Sequence, residues 1–167
     1  MSVTATQVLV GIGDFKVDGT SVGSTRGGVV IIKNVDIFEK EVDQAFTPVG
    51  QHKLREQYQV RTEIAEATLE NLKIAWDIAN NIETGASTRT LSLGINEDMV
   101  YHELEFHGEA PNGYDRKFVV YRAAIAEIGE TRLTKDDITV IPVTFNVYPD
   151  TTKPAGKQLG YIVDTTA

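Results

Sequence analysis

Residues 58–81 read YQVRTEIAEATLENLKIAWDIANN and change period once, cleanly. From Gln57 to Glu63 the residues alternate: Tyr58, Val60, Thr62 and Ile64 point one way, and Gln57, Gln59, Arg61 and Glu63 the other. That is the period-2 mark of a strand with one buried and one wet face. Thr68 then offers an N-cap hydroxyl, and Glu70 sits in the first turn, where a carboxylate complements the helix dipole. Leu69, Leu72, Ala75, Trp76 and Ala79 follow at helical spacing and predict a helix over about residues 68–80 with Leu69, Leu72 and Trp76 on its core face. Ile74 and Ile78 fall roughly opposite that stripe, among Glu70, Lys73 and Asp77. They read either as scattered surface isoleucines or as a second apolar side, clamped by a neighbouring subunit.

Composition narrows the classes. A chain of 167 residues fits one domain, 1–167, with room for a sizeable core. It has no cysteine, which excludes disulfides, thiolate nucleophiles and cysteine zinc sites. A net charge of −8 argues against a nucleic-acid binder, which needs clustered Lys and Arg to displace counterions from phosphate. No run approaches the ~20 apolar residues of a membrane span, and residues 1–8 lack the basic and apolar regions of a signal peptide.

Along the chain, residues 5–12 are apolar and β-branched enough for a strand. Residues 14–17 make a short strand ending in the Asp18-Gly19 turn. Residues 29–32 read as a short buried strand, and residues 35–43 as another in which Val35, Ile37, Glu39, Glu41 and Asp43 share a face. After Asp43 comes AFTPVGQHKLR, without periodicity and too apolar for a solvated linker: Phe46, Pro48, Val49, His52 and Leu54 lie in it. This arm, about residues 44–56, is a long loop folded over its own core, or the flanking strands continue into it as a hairpin that touches a partner. Beyond the helix, strands at 89–93, 99–107, 118–125, 138–147 and 159–163, of which 118–125 and 138–147 are the longest β-like runs, alternate with turns such as Pro111-Asn112-Gly113. Roughly eight or nine strands and one helix define a mainly β fold, an antiparallel sandwich or barrel with one flanking helix.

Chemistry is sparse. His102-Glu103 with His107 has the wrong spacing for a metalloprotease helix and lies on a strand, where residues five apart face opposite sides. Gly11-x-Gly13 lacks the third glycine of a dinucleotide fingerprint. Glu103 with Glu105, or Glu39 with Glu41, has the residue types for glycoside chemistry, but same-face carboxylates on a strand are commonly a solvated surface. The expectation is a non-enzyme with neither cofactor nor metal.

Two segments already quoted carry a resemblance. Asp18-Gly19-Thr20-x-Val22-Gly23-x-Thr25-Arg26-Gly27-Gly28-Val29 resembles the N-terminal signature of bacteriophage major tail tube proteins, and Glu66-Ala67-Thr68-Leu69-Glu70-Asn71-Leu72 resembles their single helix entering from a strand. Ile141-Pro142-Val143-Thr144-Phe145, leading to Asp150, and Gly160-Tyr161-Ile162-Val163-Asp164 are similar to their closing strands. The likeness spans nearly the whole chain in element order, through turns and helix caps rather than catalytic residues. It implies a homo-oligomer: six-membered rings, stacked into the tail tube of a virion assembled in the host cytoplasm. Tape measure, tail terminator and baseplate or tip proteins would be partners, and DNA would pass through without specific binding. On that resemblance the arm is the inter-ring contact, with Ile74 and Ile78 as subunit-interface residues. The lumen would be lined by Glu39, Glu41, Asp43, Gln57, Gln59, Arg61 and Glu63, a wall that does not grip a polyanion. Two alternatives share the composition: the tube of a contractile injection or bacteriocin-like system, and a glycan-binding virion-surface β-sandwich. The second expects aromatic platforms, and only 8% of the chain is aromatic.

Overall fold

The computed structural model describes residues 13–133 and 139–166. The strand expected at residues 5–12, and the start of the one expected at 138, lie outside these. Ten strands and one α-helix are described: β1 Asp14–Val17, β2 Thr20–Ser21, β3 Thr25–Lys40, β4 Gly50–Ile64, α1 Leu69–Ala75, β5 Ile82–Thr84, β6 Arg89–Leu91, β7 His102–Glu109, β8 Asp115–Ile128, β9 Ile141–Val147 and β10 Gly160–Thr165. All pairings are antiparallel. The main sheet runs β2-β1-β7-β8-β9-β4-β3, with β10 also on β8, while β5 and β6 form a separate two-stranded ribbon. The fold is therefore mainly β and antiparallel with one helix, and the described strands close no barrel.

The sheet folds over on itself, and β8 is where it bends. Two steps on β7, from His102 to Leu104, face three on β8, and Ala126 is the unmatched residue between Ile125 and Glu127 opposite β9. Such bulges bend a strand and raise its twist. Strands β1 and β9 lie three steps apart, about 14 Å at ~4.8 Å per step in a flat sheet. Yet the Phe15 and Phe145 rings stand 6.4 Å apart, so the two ends face each other across one core. Phe15, Val17, Val60, Ile64, Leu104, Ile125, Ile141, Val143 and Phe145 form that core, each almost wholly buried.

The turn after β1 follows from its residues. Asp18 and Gly19 both take positive φ, 51° and 78°, as a tight hairpin turn matching strand twist requires. Asp18 also ties this hairpin to β7: its carboxylate accepts the Glu103 N–H at 2.9 Å and lies 2.6 Å from Nδ1 of buried His102. Gly27 and Gly28, both at positive φ, form a bulge where Arg26 opposes Glu63 and Val29 opposes Thr62. The Gly28 carbonyl freed there accepts a 2.9 Å bond from buried Thr62.

The helix is shorter than its apolar spacing predicts. Thr68 caps it by accepting the Asn71 N–H at 3.2 Å, but it stops at Ala75, not near residue 80. Asp77 adopts φ 53°, its N–H bonds the Ile74 carbonyl at 3.1 Å, and the Ile78 N–H bonds the Lys73 carbonyl at 2.9 Å. That paired termination ends a helix and turns the following apolar residue inward. The inward face is also rotated from the expected stripe. Asn71 and Ala75 are the fully buried helical residues, Leu72 and Trp76 pack half-buried on the core, Leu69 is half-buried, and Ala79 is exposed. Asn71 tolerates burial because its amide donates to the carbonyls of Val22 at 2.9 Å and Glu66 at 2.8 Å. The Ser24 N–H donates to Glu66 at 2.8 Å, so the two segments carrying the family resemblance are stitched to each other.

Candidate assembly surfaces

Strands β3 and β4 outrun the sheet. Pairing of β4 with β9 ends at Gln59 opposite Asn146, whereas β3 and β4 stay paired to Lys40 opposite Gly50. From Tyr58 back to Gly50 the chain is thus a two-stranded ribbon, about 27 Å long at ~3.4 Å per residue. Its tip is residues 41–49, where the Val49 N–H donates to the Lys40 carbonyl at 2.8 Å. Of the two forms the arm had open, the structure takes the hairpin, and the strands expected at 29–32 and 35–43 are one 16-residue strand.

The bare ribbon mixes apolar and charged side chains. Ile37, Phe38, Val42, Phe46, Val49 and Leu54 are all exposed, and Phe46 is fully so. Leu54 is the unmatched bulge residue between Arg55 opposite Asp36 and Lys53 opposite Ile37. His52 stands opposite Phe38, and Pro48 lies in the exposed tip. Since neighbours along a strand alternate in face, Ile37 and Phe38 leave apolar surface on both sides of the ribbon. Among the described residues β3 is also a sheet edge along its whole length. Near the ribbon's base Glu56 gathers two lysines, Lys33 at 2.5 Å and Lys53 at 2.6 Å. Hydrogen bonds from Lys33, then Lys53, hold its carboxyl down at about 2, and the same contact raises Lys33. Lys33 also lies 5.2 Å from the Tyr58 ring centroid.

The seven lumen candidates do not share a face. Gln57 pairs with Asn34, Gln59 with Ile32 and Asn146, and Arg61 with Val30 and Thr144. Directly paired residues project to the same side, so this face of β3 carries the even-numbered residues. Glu39 is on the opposite face, and Glu41 and Asp43 lie in the tip beyond β3. Reading the face from β3 alone failed because the register with β4 decides which alternation meets which. Gln57, Gln59, Arg61 and Glu63 remain together, with Arg61 and Glu63 exposed.

The helix candidates need correction too. Ile78, expected at a subunit interface, is 6% exposed within its own chain, because the helix termination turns it inward. Ile74 is half-buried against the same core. The exposed apolar residues Ile31, Ile37 and Phe38 escaped the sequence reading; their signal was the run's failure to alternate. Among the described residues no three His, Asp or Glu side chains converge as metal ligands, and no helix is long and apolar enough to cross a membrane. His102 pairs with Asp18 and His107 with Glu105, 3.0 Å away. No protein-family model matches the sequence, and no curated protein matches it.

Proposed function

We propose that this chain is a structural subunit that assembles with copies of itself into stacked rings, the tail tube of a phage virion through which DNA passes. One observation carries the reading: a long ribbon with apolar side chains on both faces, continuous with an edge strand of 16 residues. An isolated two-stranded hairpin is marginal in water, and a long unprotected edge templates further pairing. A heterologous contact that closes by rotation converts both liabilities into a ring, and the ribbon then reaches the next ring. Hexameric closure, and tape measure, terminator and tip proteins as partners, come from the family resemblance.

The face of Gln57, Gln59, Arg61 and Glu63, extended by Asn34, Thr144 and Asn146, is the proposed channel wall. Val30 and Ile32 lie among these polar residues, and Arg61 is offset by Glu63, so the wall neither binds nor strongly repels phosphate. Sedimentation velocity with negative-stain microscopy, over a rising concentration series, tests the assembly. Rings or hollow filaments are expected. A sharp monomer at the highest concentrations overturns the proposal.

A further inference from the structure

Strand β10 continues the lane of β9 along β8: Val147 pairs with Ala123, and Gly160 then pairs with Val120. Strand β4 pairs with β9 but not with β10. The two lanes therefore splay apart past Gln59 and leave a groove of about 780 Å³ between them. Ile31 and Tyr58 line one side and Gly160 to Ile162 the other, while Val60 and Val147, both core residues, line it from within. The groove is mostly apolar and opens onto the core, features that suit an apolar segment of another chain.

We propose that this groove receives the ribbon tip, residues 41–49, of a second copy of the chain. The tip EVDQAFTPV offers Phe46, Pro48 and Val49 as apolar contacts and carries Glu41 and Asp43 with no cation. The groove has the opposite sign. Lys157 lines it, and its one acidic lining residue, Glu56, is bound by both Lys33 and Lys53. Opposed potentials of this kind fix register and speed encounter. The occupant cannot be the chain's own tip, because Gly50 lies more than about 20 Å along β4 from Gln57 at the groove. This assignment rests on the self-assembly reading and names the acceptor for its arm.

The absence of cysteine makes the test direct. Phe46→Cys protein is mixed with Ile162→Cys protein, or with Thr90→Cys protein as a control on β6, under mild oxidation, and dimers are read on non-reducing gels. All three side chains are exposed, so folding is preserved. Thr47→Cys replaces Phe46→Cys if loss of the ring itself prevents docking. At least tenfold more heterodimer is expected with Ile162→Cys than with the control. Lys157→Glu should reduce that yield, and Asp43→Lys in the tip-bearing partner should restore it. Equal yields with both partners overturn the groove assignment. If microscopy of the same samples shows stacks but the tip and groove thiols do not cross-link, the groove fails and self-assembly stands. If no oligomer forms, both fail.

Discussion

Replacing Ile37, Phe38 and Leu54 together by threonine strips the ribbon's stem of its apolar surface while keeping β-branched, strand-compatible side chains. The three are 54%, 56% and 65% exposed, so rather more than half of each is still available for burial by a partner. Full burial of such a side chain contributes about 1.5–3 kcal/mol, so the available part comes to about 3–5 kcal/mol per ribbon. At about 1.4 kcal/mol per tenfold, that is about two to three and a half powers of ten in association constant. Ordering of the ribbon offsets some of it, which leaves a rise in critical concentration of at least about tenfold. The assay is pelleting across a protein dilution series, with thermal melts alongside. Because exposed substitutions shift stability by only about ±0.5 kcal/mol, the isolated subunit should melt almost as before. A critical concentration within about threefold of the parent, from a folded triple variant, refutes the ribbon as an assembly contact.

Other outcomes follow from the interior and from charge. Phe145→Ala removes a fully buried ring packed on Phe15 and His102; a loss of about 3–5 kcal/mol is expected, or roughly 6–20 °C in Tm for a chain of this size, measured by calorimetry. Asn71→Ala leaves the Val22 and Glu66 carbonyls without their donor and should cost about 1–3 kcal/mol, with faster hydrogen exchange at Ala65, whose N–H bonds the Ser24 carbonyl. Thr68→Ala, losing only the helix cap, should cost about 1 kcal/mol in denaturant melts. Glu56 is held at about 2 against its ordinary 4.5, so its contribution is complete above about pH 4.5 and is lost as pH falls through about 2. Glu56→Gln should flatten that part of the acid response of ribbon amide exchange, and salt should weaken the pairs in the parent.

What the sequence disclosed depended on burial. Gln57 to Glu63 alternates because one face of β4 meets the core there, and the strand was legible. The preceding residues 50–56 belong to the same strand but carry no period, because neither face of the ribbon is covered and nothing imposes alternation. The apolar run of β3 looked like a buried strand for the same reason inverted: Val30 and Ile31 are apolar yet exposed. Thr68 announced the helix start through its own side chain, whereas the stop lay in the backbone of Asp77, a residue without a glycine's signature. Trp76, Ile78 and Ala79 kept the helical spacing past that point, so the end and the fate of Ile78 were hidden. The lumen set failed at pairing register, a property of two strands that neither one carries alone.

Strand β1 meets β7 some ninety residues downstream, Phe15 beside Phe106 and Val17 beside Leu104, whereas β3 and β4 are joined through one short tip. Nearby strands zip in about 1–10 μs, while distant ones wait on a larger loop closure. The stickiest part of the molecule is thereby among the earliest to take shape, and the seam that seals its interior among the last. If the chain assembles through that ribbon as proposed, newly made copies display the contact before they are finished, so the rate of synthesis and the local crowd of siblings decide whether they meet as completed pieces or as tangled ones.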